Sequence, residues 1–325
     1  MPYAMPHRTR AARWPAAALI ASFLALLPTS AQAQVDPLTV VVDTSDADRF
    51  ATIFARTNGR PSAADLQRDY LDKGSEGVRI FTPGRIENAQ ALADHVAANG
   101  DQYRRAIDHC LPLARQASGD LRAIYLALRG LYPDRPLPAI HIVFGRGNSG
   151  GTAGPDAQVL GLEVLCDPLP TPEAFRQRLR TLFAHETVHT WQDLATGDQT
   201  NRLLRAVLIE GAADYVASLV LGRPPSAEQD KFGTAREAEL WRQFMADIAT
   251  TRPLADADYD TSKAGQAAVR RWVGNYQSAP EGWPYEMGYW IGMRIWQRHV
   301  AAAPDKRAAI EQVLPDDSLR GFKGQ

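Results

Sequence analysis

The sequence predicts a mostly helical α+β fold, and three observations carry that prediction. Only three short runs, at 38–42, 140–144 and 159–165, have the β-branched, apolar character of strands. Long stretches elsewhere place apolar residues at helical spacing. No internal repeat and no low-complexity linker divides the chain, so these elements belong to one domain.

Taken in order, the strand at 38–42 precedes helical segments at 46–56, 63–71, 85–98, 101–117 and 120–132. Pro112 kinks or splits the fourth of these, because proline has no backbone N–H and its ring crowds the preceding turn. Pro133-Asp134-Arg135-Pro136 ends the helical run. The strands at 140–144 and 159–165 follow, and the glycine-rich stretch 145–154 between them reads as a mobile hairpin loop. Helices resume at 172–195, 203–221, 227–249, 264–273, 284–302 and 306–314. The first of them has a clear start: Thr171 can cap, Pro172 suits the first helical position, and Glu173 puts an acid in the first turn.

Residues 1–33 are expected to be a signal peptide. Arg8, Arg10 and Arg13 precede an apolar run at 16–27 that is too short to span a bilayer. Pro28 and the small-x-small site Ala31-Gln32-Ala33 then favour cleavage, with a mature start near Gln34 and export to the periplasm or medium. No cysteine lies near that site, which argues against a lipoprotein. The segment carries 3 of the 36 basic residues and none of the 37 acidic ones, so 33 against 37 leaves a net charge of −4. A mildly acidic chain without a basic patch offers nothing to a nucleic acid, and no membrane span is expected after cleavage. Cys110 and Cys166 are the only cysteines; a disulfide and two free thiols are both open at this point.

The chemistry concentrates at His185-Glu186-Thr187-Val188-His189, inside the helix that starts at Thr171. Positions i and i+4 share a helix face, so the two imidazoles can hold one metal ion while Glu186 lies close enough to act on a nearby water. Glu210 and Asp214 follow, again four apart, in an otherwise apolar helical stretch. A carboxylate among Val207, Leu208, Ile209, Ala212 and Ala213 is costly to bury unless it is paired or bound to a metal. Gly211 and Ala213 would let this helix approach another closely.

H-E-x-x-H followed by E-x-x-x-D resembles the gluzincins, the thermolysin-like clan of zinc metallopeptidases. The resemblance implies a zincin-like fold with an upper lobe at about 34–197, a helical lower lobe at about 198–325, and one zinc ion per chain. It implies His185, His189 and Glu210 as ligands, Glu186 as general base, and Asp214 as the carboxylate that orients His185 through its other ring nitrogen. Ile209 stands where that pattern often has Asn, so His189 is expected to need another acceptor, such as a backbone carbonyl. A looser similarity, carried by 70–75, Gly150-Gly151-Thr152 and 288–292, connects the chain with bacterial predicted zinc-dependent proteases related to gliding-motility lipoprotein B. It implies an envelope location and supplies no substrate.

Three further segments bear on function. Val159-Leu160-Gly161-Leu162-Glu163 is the expected edge strand beside the metal helix, where an extended peptide could pair. Tyr289, with Tyr285 one turn earlier, is the expected donor to a developing oxyanion, and Gly288 and Gly292 predict close packing of their helix. Gly147-Asn148-Ser149-Gly150-Gly151 echoes the nucleophile segment of chymotrypsin-like proteases, yet Asn148 replaces the acid and Ser149 is not expected to be catalytic. His95, His109, His141 and His299 read as structural. The expected activity is zinc-dependent hydrolysis of a peptide or protein substrate. The alternative is an exported binding or envelope-assembly factor whose metal site is structural.

Overall fold

The computed structural model describes residues 35–314 apart from 155, 193–200 and 277. The expected signal peptide and the expected lobe boundary near 197 therefore lie outside the described residues. The N-terminal part comprises β1 (Val42–Asp43), α1 (Ser45–Arg56), α2 (Ala63–Leu66), α3 (Glu76–Phe81), α4 (Ala89–Ala98), α5 (Gly100–Arg105), α6 (Leu111–Arg115) and α7 (Ser118–Leu131). Next come β2 (Ala139–Val143), β3 (Gly151–Ala153), β4 (Ala157–Gly161) and the short α8 (Leu162–Leu165). Helices complete the chain: α9 (Pro172–His189), α10 (Arg202–Leu221), α11 (Ala227–Ala235), α12 (Glu237–Thr251), α13 (Asp256–Tyr259), α14 (Lys263–Trp272), α15 (Met287–Ala302) and α16 (Lys306–Glu311). The fold is α+β and mostly helical, with one hydrophobic core that runs from Val40 to Leu314.

The sheet is small and mixed, in the order β1-β2-β4-β3. β1 and β4 run parallel to β2, whereas β3 runs antiparallel to β4 with Thr152 opposite Val159. This corrects the expected edge strand. β4 is flanked on both sides and all five of its residues are buried, so its backbone has no free edge to offer. The chain then turns helical, which puts Leu162 and Glu163 in α8 instead of a strand. The edge on that side of the sheet is β3, inside the stretch expected to be a mobile loop.

That stretch is fastened from below. The buried Glu163 carboxylate accepts the N–H groups of Gly145 and Gly147, each at 3.1 Å. Tyr103 donates its hydroxyl to the Gly145 carbonyl at 2.5 Å, and Asn148 donates to the Gly84 carbonyl at 2.9 Å. Burial is the main influence on Glu163, and it raises the carboxyl to about 7 although the two backbone donors act against it.

Local chemistry explains where helices depart from expectation. The segment expected at 85–98 starts at Ala89, because Asn88 caps the N–H of Ala91 at 2.9 Å. Arg85 instead lies in a wide turn, Thr82–Ile86, that Pro83 and Gly84 pull out of helical geometry. α3 had no expected counterpart; Ser75 caps it through the N–H of Gly77. The segment at 101–117 is broken ahead of Pro112 by a π turn, Ala106–Cys110, which absorbs the missing N–H. The segment at 227–249 splits at Arg236, and the one at 284–302 begins only at Met287. Cys110, at the end of the π turn, is bonded to Cys166 just after α8, with Cα atoms 6.0 Å apart.

Two contacts position the helices that matter most. From β4, Gln158 donates to Thr187 Oγ1 at 2.8 Å, which ties the sheet to α9. α10 and α15 meet backbone to backbone: a Cβ on Gly211 would lie 2.2 Å from the Gly292 Cα, and one on Gly292 would lie 1.9 Å from the Val207 carbonyl oxygen. Trp296 Nε1 also donates to the Leu208 carbonyl at 2.9 Å. The close packing expected from Gly211, Gly288 and Gly292 is present.

Candidate metal centre

His185 and His189 occupy the last turns of α9, and Glu210 faces them from the middle of α10. His185 Nε2 and His189 Nε2 are 3.0 Å apart, and Glu210 Oε2 lies 3.3 Å from the first and 3.2 Å from the second. Three donor atoms thus surround one point, and the group can hold a metal ion. Glu210 Oε2 is buried with no hydrogen-bond donor of its own. An orphaned carboxylate oxygen aimed at two imidazole nitrogens is what a cation between them would satisfy.

The other ring nitrogens set the tautomers. Asp214 Oδ1 accepts from His185 Nδ1 at 2.8 Å, as expected from the i,i+4 pair on α10. His189 Nδ1 donates to Gln192 Oε1 at 2.6 Å, and Gln192 Nε2 donates in turn to the Ile209 carbonyl at 3.0 Å. This corrects the expected backbone acceptor for His189: a side-chain amide serves, held in place by the carbonyl of the residue that replaces Asn. In the neutral rings, with Nδ1 protonated, both Nε2 lone pairs point into the site.

The electrostatics favour positive charge there. Burial alone would lower both histidines, yet Asp214 and Glu210 carry His185 well above its usual value, and Glu210 raises His189. Burial would raise Glu210, but the two imidazoles hold it well below the ordinary carboxylate range. The Tyr289 phenol is pushed well above 10 by burial and then by Glu210 and Glu286, so it keeps its proton and can donate. Its ring stacks on that of His185, with centroids 5.8 Å apart and planes 5° from parallel. Burial likewise raises the Glu286 carboxyl, which neighbours the Tyr289 hydroxyl.

A cleft of about 610 Å³ opens onto the three metal-ligand candidates, and Glu186, Tyr289, Arg85 and the strand residues Gly151–Ala153 also line it. Glu186 is buried beneath that strand; a Cβ on Gly151 would sit 2.6 Å from Glu186 Oε1. Comparison of the chain with protein-family models, curated proteins and solved structures returns no match.

Other expected residues fall elsewhere. Tyr285 is exposed and packs against Tyr276 at 5.3 Å, so it does not join the site. The reason is the left-handed Glu286 (φ 59°), which breaks the helix before Tyr285 can lie one turn below Tyr289. Ser149 bonds Arg85 Nε and the Gly151 carbonyl and no histidine, in keeping with a non-catalytic role. His141 bonds Asp43 and Ser75, His95 sits edge-on to Tyr103, and His299 bonds Gln312. Sequence reasoning did not foresee Gln192, Glu286, Arg85 or the strand at Gly151. Gln192 and Glu286 lie just outside α9 and α15, past one end and before the other, so helical spacing does not announce them. The other two come from separate turns.

Proposed function

We propose that this chain is an exported zinc-dependent peptidase of gluzincin type with a zincin-like fold. Its ligands are His185, His189 and Glu210. Tetrahedral bonds of about 2.0–2.1 Å would place ligand atoms about 3.3–3.4 Å apart, close to the separations in this site. The donor set of two imidazoles and one carboxylate suits zinc and leaves a position open. A bound zinc ion would supply a Lewis acid that makes water more acidic and polarises a carbonyl.

This chain's own residues do the rest. Glu186 takes a proton from the attacking water and returns it to the leaving nitrogen. Tyr289 donates its phenolic hydrogen to the oxygen on which negative charge develops. Asp214 and Gln192 hold the imidazoles in their working tautomers. The free edge of β3 can pair with an extended peptide and lay a carbonyl across the mouth of the cleft. Export is supported by the signal-like first 33 residues and by the Cys110–Cys166 bridge, which persists in oxidising compartments. Among the described residues no helix is long and apolar enough to cross a membrane.

The observation that carries the reading is Glu186. It is neither one of the three grouped metal-ligand candidates nor a cap, yet it is buried against the edge strand in the same cleft. The test is metal analysis and digestion of a mixed peptide library by the wild type and Glu186→Ala. Zinc in both and cleavage by the wild type alone is the expected result. A zinc-loaded, folded wild type that cuts nothing would instead favour a binding or assembly factor with a structural metal.

A further inference from the structure

Arg85 is the one permanently charged cation among the described residues that line the metal cleft. It is half-buried, and it forms no ion pair with any described carboxylate. The nearest acid in sequence, Glu87, is already taken by Arg146 at 2.8 Å. Arg85 is nonetheless held in place. Its Nε donates to Ser149 Oγ at 3.3 Å, and Ser149 donates to the Gly151 carbonyl at 2.7 Å. Its guanidinium carbon stands 6.0 Å from the centre of the Phe81 ring. The backbone is also pinned, because the Arg85 carbonyl accepts the N–H of Arg146 at 3.1 Å.

A guanidinium fixed through Nε and facing a cleft keeps its two terminal nitrogens for a ligand. Those nitrogens form a planar fork that matches a carboxylate. Ser149 couples the fork to β3, the strand along which an extended chain would lie. We infer that Arg85 is a specificity-determining residue that binds a carboxylate of the substrate peptide. This deepens the peptidase reading and rests on it for the peptide nature of the ligand. Two sources share that chemistry, a free C-terminus and an Asp or Glu side chain. The glycine-serine segment thereby gains a purpose: Ser149 aims the arginine.

The test is a binding titration with the zinc-loaded, full-length Glu186→Gln protein, so that no ligand is consumed. Three peptides of otherwise identical apolar sequence are compared: the free acid, the C-terminal amide, and the amide with one internal Glu. At least one carboxylate peptide is expected to bind roughly ten- to a hundredfold more tightly than the plain amide. Preference for the first marks C-terminal recognition; preference for the third marks an acidic side chain. Arg85→Met should abolish the preference while leaving amide binding unchanged, and Arg85→Lys should restore it only in part. Ser149→Ala, which frees the guanidinium without deleting it, should weaken it and serves should Arg85→Met fail to fold. Equal binding of all three peptides, binding of none, or a preference that survives Arg85→Met overturns the inference. Arg85-dependent selectivity in a protein whose wild type cuts nothing would sink the peptidase reading alone. Cleavage without carboxylate preference would sink the inference alone.

Discussion

At the scale of the residue, the proposed function gives each side chain around the candidate metal point a separable duty. Glu186→Ala is expected to keep zinc and melting temperature and to lose turnover by about 10²–10⁴-fold, since only the proton carrier goes. Gln192→Ala leaves the His189 N–H without its acceptor, and zinc affinity should fall by about 10–100-fold in competition with a chelator. Unchanged affinity would mean that the amide orients nothing. Tyr289→Phe should lower kcat more than it changes KM, and a change confined to KM would remove the oxyanion role. The three ligand candidates and Asp214 were legible in the sequence because two i,i+4 pairs fix their faces without knowledge of the fold, and Glu186 because it stands next to His185. Arg85 was not, because its place depends on a turn distorted by Pro83 and Gly84, and on Ser149, which lies far along the chain.

At the scale of the element, the edge strand and the glycine seam decide the geometry. Gly151→Ala places a methyl against Glu186 Oε1, the end of a flexible side chain, so activity should drop with little loss of stability. Gly292→Ala is different in kind, because its methyl meets the Val207 carbonyl and the backbone cannot yield cheaply. It should cost about 1–3 kcal/mol or more in a denaturant titration and lower zinc affinity as well. Strand order was the part that sequence could not supply. All of β4 is buried, so it shows no alternation that distinguishes an inner strand from an edge, and three-residue β3 is hidden among glycines. α3 and α13 are too short for periodicity to declare them.

Glu163 belongs to this scale too, since it holds the approach to β3. Its carboxyl is raised from the usual 4.5 to about 7, so the folded chain binds this proton more tightly than the unfolded chain does. The stability it contributes is full below about pH 4.5 and is lost as pH rises through about 7. Glu163→Gln mimics the protonated form and should flatten that dependence. Parallel melting curves for the two proteins from pH 5 to 8 would contradict the assignment.

At the scale of the whole molecule, one core and one bridge hold the helices around the small sheet. Cys110 and Cys166 are 56 residues apart in sequence, and closing such a loop contributes about 4 kcal/mol in the chain-entropy model. Reduction should therefore lower the melting temperature by roughly 10 °C; equal midpoints with and without reductant would show the bridge to be dispensable. The sequence left bridge and thiols equally open, because nothing local announces that a π turn and the end of α8 meet. The seam between α10 and α15 has one more consequence. Helices in backbone contact leave no slack between Glu210 and Tyr289, so the side of the site that α10 and α15 supply is set before anything enters it. Capture of zinc by the metal-free protein should then be a single kinetic phase whose rate climbs in proportion to concentration. A rate that levels off at high zinc would reveal a slow opening step that this seam should not permit.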